Sequence, residues 1–232
     1  MIRMALALLA AIAMPAIPAA AQNWNATFSA TDGGGHRVGN PDADTQLIVF
    51  SSYTCPHCAT FERDSEAELR YFLVHEGRAA LEMRHMIRNI VDVAAALATE
   101  CGPEDKFFAN HRTMLASQED WLARGRDVSP QRQQRWNGGD FGQRMRAIAG
   151  DLGWYDIMER RGYLRSELDA CLSDRAAADA IVAASQAGAA QYNVPGTPSF
   201  VLNGQLIDGV HNWLALRPLL TNLPAETVLE GG

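Results

Sequence analysis

The fold of this chain is decided by residues 47–58, which read Leu-Ile-Val-Phe-Ser-Ser-Tyr-Thr-Cys-Pro-His-Cys. Residues 47–50 form a continuous apolar run that ends at small polar residues, which is typical of a central strand covered on both faces. Cys55 follows at the head of a helical pattern. Pro56 suits the first helical position because its fixed φ fits a helix and its missing N–H has no partner to lose. The stretch predicts a buried strand that leads into a helix.

Two cysteines separated by two residues at the start of a helix indicate a redox-active dithiol. The unpaired N–H groups and the positive dipole of the first turn favour a thiolate on Cys55, and a protonated His57 would add positive charge. Apolar and small residues recur at helical spacing from Cys58 onward, which predicts that Cys58 faces inward and Cys55 lies at the exposed tip. A stabilised thiolate favours the reduced pair, so the oxidised pair is expected to pass its disulfide to other proteins.

The same cysteine spacing also occurs in other kinds of site. A zinc site usually has four ligands, and Cys101 and Cys171 stand alone without a second close pair. Covalent haem attachment would require His directly after the second cysteine, where Ala59 stands. A Cys55–Cys58 disulfide with a purely structural role stays open.

The other histidines carry little functional signal, because their spacing does not match that of metal ligands. They are His36, His75, His85, His111 and His211. We therefore expect no metal ion, and no cofactor besides a redox-active disulfide of Cys55 and Cys58.

The N-terminal residues 1–21 have the pattern of a secretory signal peptide. Arg3 precedes an apolar stretch, Pro15 and Pro18 interrupt it, and three alanines at 19–21 offer a cleavage site before Gln22. The apolar stretch is short for a transmembrane helix. We expect a cleaved signal and an exported protein, and an uncleaved anchor is the alternative.

Charge argues against nucleic acid as a partner. The formal net charge of −7 becomes −8 when Arg3 is removed with the signal peptide, and the calculated pI is about 5.3. Four arginines fall in a polar stretch with Gly and Pro, which favours a solvated loop or helix face. They are Arg124, Arg126, Arg132 and Arg135.

Four cysteines in an exported protein are compatible with two disulfides. If Cys55 and Cys58 pair because they are close in sequence, Cys101 and Cys171 remain. We expect a structural disulfide between these two, since neither has a neighbour that would make a redox motif; two buried free thiols are the alternative.

The chain suits one domain with an insertion. Residues 22–37 are polar and Gly-rich, and we interpret them as a flexible lead-in. Residues 38–89 contain a strand, the cysteine helix to about His75, and a second strand that is parallel to the first. Residues 90–190 have helical patterns over 91–97, 104–117, 141–152 and 166–172, and the longest pattern runs over 175–192.

Residues 191–232 return to strand-like sequence. Residues 199–202 and 205–208 flank Asn203-Gly204, a pair that tolerates the positive φ values of a type I′ hairpin turn. A last helix is predicted from about Asn212 to Thr221. Strand, helix, strand, helical insert, hairpin and helix is an α/β, thioredoxin-like order with an inserted helical domain.

Three motifs in this order resemble the DsbA family of thioredoxin-fold thiol-disulfide oxidoreductases. The first is Cys-Pro-His-Cys at 55–58, and the second is Phe-Phe-Ala-Asn-His at 107–111 running into Ser117-Gln118. The third is Val-Pro-Gly-Thr-Pro-Ser-Phe at 194–200, before the Asn-Gly turn. The similarity extends from about Val38 to Leu220, nearly the whole mature chain.

The resemblance implies that Pro198 is cis and lies beside the cysteine pair, with Thr197 presenting its backbone to an incoming peptide. It implies that His57 stabilises the Cys55 thiolate, and that the protein oxidises reduced exported proteins in the periplasm. It also implies recycling by a DsbB-like membrane protein coupled to quinone. We expect a monomer.

Two departures from the family pattern matter. Several DsbA enzymes carry a buried acidic residue six positions before the first cysteine, where Val49 stands here. Thr197 precedes Pro198, where the best-known oxidases have Val and the isomerases often have Thr. Isomerase or reductase activity therefore stays open, as does a periplasmic peptide-binding or chaperone module without turnover.

Overall fold

The computed structural model describes residues 22–220, and the strands in this part of the chain form one six-stranded mixed sheet. The strands are β1 Phe28–Ala30, β2 His36–Gly39, β3 Thr45–Ser51, β4 Ala79–His85, β5 Ser199–Leu202 and β6 Gln205–Leu206. Their order across the sheet is β1-β2-β4-β3-β5-β6. β3 and β4 run parallel, as predicted, and the other neighbouring pairs are antiparallel.

β3 lies between two long neighbours because it is apolar on both faces. Leu47 pairs with Leu81 of β4 on one side and with Leu202 of β5 on the other. Val49 and Phe50 are both buried although they point to opposite faces of the sheet. The end of β3 therefore has a fixed position, and the cysteines follow directly from it.

Residues 22–37 are not the flexible lead-in that we expected. β1 pairs with β2, and β2 pairs with β4 from His36↔Met83 to Gly39↔Ala80, so this segment forms one edge of the sheet. Gly39 has a φ of +114° and its Cα faces the backbone of Ala79, where a Cβ would come within 2.5 Å of the carbonyl oxygen. The amino-acid composition of the segment did not indicate these strands, because they are short and partly exposed.

The cysteine helix has two parts. α1 spans Pro56–Ser65 and continues as a π-helix over Glu66–Val74, close to the predicted end at His75. Cys58, Phe61, Ser65 and Leu69 are buried, as the helical spacing predicted.

The helical insertion follows β4. Its α-helices are α2 Ile90–Thr99, α3 Phe107–Ala116, α4 Gln118–Asp127, α5 Pro130–Gln133, α6 Phe141–Leu152, α7 Trp154–Arg160, α8 Arg165–Ser173 and α9 Arg175–Tyr192. Sequence patterns indicated α2, α3, α6, α8 and α9. They missed α4, which buries only Gln118 and Trp121, α5, which is a single turn, and α7, which follows α6 after Gly153 alone.

The interpretation of the arginine cluster as a solvated face is confirmed, because all four arginines are exposed. Arg132 and Arg135 both donate to Oδ1 of Asp151, whose side chain is only 2% exposed. The indole N–H of Trp136 donates to the other carboxylate oxygen over 2.9 Å. These contacts fix the segment between α4 and α6.

The C-terminal part contains the predicted hairpin. Asn203 and Gly204 have φ values of +49° and +83°, as a type I′ turn requires. The last helix is shorter than predicted: Asn212 caps α10, which spans Trp213–Leu216, and a 3₁₀ turn over Arg217–Leu219 follows. The signal peptide at 1–21 and the predicted helix end at Thr221 lie outside the described residues. Among the described residues, no helix is both long and apolar enough to cross a membrane.

Candidate active site

The cysteine pair lies where β3 ends and α1 begins. Cys55 is the N-cap residue, with extended backbone angles, and Pro56 occupies the first helical position. The backbone N–H of Cys58 donates to the carbonyl oxygen of Cys55 over 3.1 Å. Both cysteines are free thiols.

Both sulfur-bearing residues are buried, which corrects the expectation of an exposed Cys55. Cys55 is 4% exposed and Cys58 is 1% exposed, whereas Pro56 and His57 are exposed. The cover over Cys55 comes from a distant part of the chain, because its Sγ lies 3.2 Å from the main-chain oxygen of Thr197. Helical periodicity could not reveal this cover.

The two thiols differ sharply in acidity. A hydrogen bond from Cys58, aided by hydrogen bonding from Thr197 and by the backbone N–H groups of Cys58 and His57, lowers the pKa of Cys55 to about 5 in spite of its burial. Burial, together with the neighbouring Cys55, raises the pKa of Cys58 far above its ordinary value. At neutral pH the dithiol therefore carries its negative charge on Cys55. In this structure His57 helps to lower the pKa of Cys55 through its backbone N–H.

A loop with a cis peptide bond forms the opposite wall of the site. The bond between Thr197 and Pro198 is cis, as the resemblance implied. The carbonyl oxygen of Pro198 lies 2.8 Å from Nδ1 of His211, and the Ser199 hydroxyl donates to the Gly196 carbonyl over 2.9 Å. The hydroxyl of Thr197 is buried and has no well-formed hydrogen bond among the described residues, so it is available to an ionised Cys55.

Asp92, at the start of α2, holds the loop before Cys55. Its carboxylate accepts hydrogen bonds from the Ser52 hydroxyl and from the backbone N–H groups of Thr54 and Arg88. Burial raises its pKa, and these donors oppose that effect. Gln118 adds a second support, since its side-chain amide donates to the carbonyl oxygens of Tyr53 and Cys55 over 2.6 and 2.9 Å.

The sequence did not indicate a role for Asp92, and it indicated Gln118 only as the last residue of the motif at 107–118. Both residues lie far from the cysteines along the chain, so local patterns carried no signal for their contacts. The motif at 107–118 was the available hint for Gln118.

A small internal cavity adjoins Val49, the position of the missing buried acid. Glu62 of α1 and His111 of α3 line the same cavity. Oε2 of Glu62 lies 3.7 Å from Nε2 of His111, and the Tyr53 hydroxyl lies 2.9 Å from Nδ1 of the same ring. Glu62 follows Cys58 by one helical turn and shares its face.

The Glu62–His111 pair can hold or release a proton inside the protein. Burial by itself would raise the pKa of Glu62. The hydrogen bond and charge of His111 have the opposite effect and are larger in sum, so the pKa of Glu62 lies below its ordinary value. Burial also lowers the pKa of His111. An acid–base pair therefore lies beside the position that Val49 leaves apolar.

Cys101 and Cys171 form the expected disulfide, with a Cα–Cα distance of 5.6 Å. It joins the segment after α2 to α8 and closes a loop between residues 70 positions apart. Both ends belong to the helical insertion, separate from the Cys55–Cys58 pair.

Comparison with known proteins places this architecture in a family. A family model described as thioredoxin matches residues 31–222, so the chain belongs to the thioredoxin family and the predicted α/β fold with inserted helices is confirmed. The crystal structure of a protein-disulfide isomerase from Novosphingobium aromaticivorans is 44% identical, with a TM-score of 0.76, and the match covers 80% of this chain and 95% of that one.

DsbA proteins share the fold of this chain. Wolbachia pipientis alpha-DsbA1 shares the fold with a TM-score of 0.62 at 16% identity, over 80% of this chain and 88% of that chain. A Rickettsia bellii protein is 24% identical over 72% of this chain and 56% of its own length. Its name assigns it, provisionally, the function of a protein-disulfide oxidoreductase. The chain thus spans about half the length of the curated relatives it matches.

Proposed function

We propose that this protein is a thiol-disulfide oxidoreductase that donates the Cys55–Cys58 disulfide to other proteins. The observation that carries the proposal is the contrast between the two thiols, one with a pKa near 5 and one whose pKa is strongly raised. A thiolate that forms so readily is a good leaving group, and its stability favours the reduced pair. The disulfide is then the only redox group that the reaction needs.

Disulfide donation proceeds in two exchange steps. A substrate thiolate attacks Sγ of Cys55, the Cys55–Cys58 bond breaks, and its electron pair goes to Cys58, which takes up a proton. A second substrate thiolate then attacks the substrate sulfur of the mixed disulfide, and Cys55 leaves as the stabilised thiolate. The substrate loses two electrons and the cysteine pair gains them.

The proton that Cys58 takes up needs a donor inside the protein. Glu62 is suited to relay this proton because it lies one helical turn after Cys58, and together with His111 and Val49 it lines a small cavity. In this proposal the pair replaces the acidic residue that other DsbA proteins carry on β3.

Substrate binding is assigned to the loop around Pro198. The Thr197 backbone faces the Cys55 sulfur, and a peptide lying along this loop would present its cysteine to Sγ of Cys55. Pro56 and His57 are exposed beside it and would contact the same peptide.

Isomerase or reductase activity is the second candidate. The relative from Novosphingobium aromaticivorans is called a protein-disulfide isomerase, and Thr197 occupies the position before the cis proline where isomerases often have Thr. Faster rearrangement of a scrambled protein than oxidation of a reduced one would select this candidate.

The proposed setting is the periplasm, after export by the N-terminal signal. The substrates would be reduced exported proteins, and a DsbB-like quinone-coupled membrane protein would restore the disulfide. We propose a monomer. Its net charge, −7 for the full chain and −8 without Arg3, argues against nucleic acid as a partner.

The test is equilibration of the cysteine pair with a glutathione buffer, followed by oxidation of a reduced test protein. We expect a readily reduced disulfide and rapid substrate oxidation that Cys55→Ser abolishes. A strongly reducing disulfide that does not exchange would favour a peptide-binding or chaperone module instead. Full activity of Cys55→Ser would overturn the mechanism.

A further inference from the structure

Two histidines and a glutamate meet outside the cysteine site. His36 begins β2, His85 ends β4, and Glu100 follows α2 directly. Nε2 of His85 lies 2.9 Å and Nε2 of His36 lies 3.3 Å from the same oxygen of Glu100, Oε1. One ligand atom from each residue lies within 4.8 Å of the other two.

These distances resemble those between the ligands of a tetrahedral metal ion. Bond lengths of about 2.0–2.1 Å place neighbouring ligand atoms about 3.3 Å apart. One measured separation equals this value and another is slightly shorter. Small shifts of the side chains would open a place for an ion between the three atoms.

The donor set indicates which ion would bind. Two imidazole nitrogens and one carboxylate oxygen suit a borderline divalent transition metal ion such as Zn²⁺, with a water molecule as fourth ligand. His85 is 4% exposed, whereas the side chains of His36 and Glu100 are 17% and 27% exposed. The cluster is therefore anchored in the interior and accessible to an ion from one side.

The Nε2 atoms provide the polar contacts that orient both rings. The Nδ1 atoms of His36 and His85 are buried, and neither has a hydrogen-bond partner among the described residues. The His36 ring stacks on Phe107, with ring centroids 3.5 Å apart, which fixes its plane.

We propose that His36, His85 and Glu100 bind one Zn²⁺ or a similar divalent transition metal ion. The ion would join β2, β4 and the end of α2, and Glu100 directly precedes Cys101 of the disulfide. The His85 ring packs 5.7 Å from the ring of Tyr53, two residues before Cys55, so the bound ion would stiffen the wall behind the cysteine loop. Its role is structural, and no redox step passes through it.

The test is titration of the full chain, without an affinity tag, with Zn²⁺ by calorimetry and with Co²⁺ by visible absorption. Cys55 and Cys58 are kept oxidised so that their thiols cannot capture the metal. We expect saturation at one equivalent, Co²⁺ bands typical of tetrahedral or five-coordinate ligation, and a higher melting temperature with Zn²⁺.

Substitutions of the three ligand residues test whether the ion binds at this cluster. His85→Gln and Glu100→Gln should weaken Zn²⁺ binding by about tenfold or more, by analogy with losses seen around metal sites, and His75→Gln, at an exposed histidine, should leave it unchanged. His36→Gln, at a partly exposed position, serves if the other variants do not fold, as judged by circular dichroism. No saturable binding to the folded wild type, or unchanged binding in every folded ligand variant, would overturn the proposal. Because these readouts do not require thiol exchange, they are independent of the proposed enzymatic function.

Discussion

Sγ of Cys55 lies 3.2 Å from the main-chain oxygen of Thr197, so the cysteine loop and the cis-proline loop meet at one sulfur. The two residues are far apart in the chain, and the pairing of β3 with β5 brings them together. Cys55 is buried at this contact. The hydroxyl of Thr197 is also buried, and it has no well-formed hydrogen bond among the described residues.

The first prediction concerns the ionisation of Cys55. In the reduced protein, ultraviolet thiolate absorbance should titrate with a midpoint near pH 5, because the Cys58 thiol donates to the Cys55 sulfur. Cys58→Ala removes this donor and should raise the midpoint, whereas Cys58→Ser keeps a donor and should raise it less. A wild-type midpoint near the ordinary cysteine value of about 8.5 would contradict the prediction.

The same shift makes the stability of the reduced form depend on pH. The pKa of Cys55 is lower in the folded chain than in the unfolded chain, so its stabilising effect is complete above about pH 8.5 and disappears as the pH falls through about 5. Over this window the free energy of unfolding of the reduced form should fall relative to the oxidised form by about 5 kcal/mol, as an order of magnitude. Denaturant titrations of both forms at several pH values measure the difference.

The second prediction concerns Thr197→Val. Removing the hydroxyl should raise the pKa of Cys55, because hydrogen bonding from Thr197 is one of the effects that lower it. The oxidised protein, in which Cys55 does not titrate, should lose no stability, since Val keeps the shape and eliminates a buried polar atom without a partner. Thiolate titration and the rate at which mixed disulfides resolve are the measurements. Thr60→Val, on α1, is the control, and an unchanged rate in Thr197→Val would deny that residue a tuning role.

The third prediction concerns Glu62→Gln. If Glu62 and His111 supply the Cys58 proton, this change should slow reduction of the disulfide by a thiol peptide by about tenfold or more and flatten its pH profile. Glu66→Gln is a matched control, because Glu66 is also near α1 but pairs with Arg112 over 3.2 Å at the surface. A uniform loss of rate with an unchanged pH profile would indicate that Glu62 is only structural.

The fourth prediction concerns the second disulfide. Replacing Cys101 and Cys171 with Ala should lower the melting temperature, with a loss of up to about 4 kcal/mol in the chain-entropy estimate, and should leave thiol exchange largely intact. The reason is that both ends of the bond belong to the helical insertion, whereas Cys55 and Cys58 lie at the end of β3 and the start of α1. Loss of exchange in a still-folded double variant would assign the bond a role in activity.

Several features could be predicted from local sequence. The apolar run before the cysteines specified a buried parallel strand, Pro56 marked the helix start, and Asn203-Gly204 specified the hairpin. Each depends on interactions within a few residues, which local composition records. Strands β1 and β2 were missed because they are only three and four residues long and partly exposed, so they lack a clear apolar pattern.

From the amino-acid sequence alone, the type of fold, the position of the Cys55–Cys58 pair at a helix start and the Cys101–Cys171 pairing could be predicted. Only the tertiary structure shows how deeply Cys55 is buried, which groups stabilise its thiolate, that an acid–base pair lies beside Val49, and that His36, His85 and Glu100 converge. The physical reason is that these properties depend on distances between side chains from separate elements. Hydrogen bonding and burial act through space, and spacing along the chain does not encode those distances.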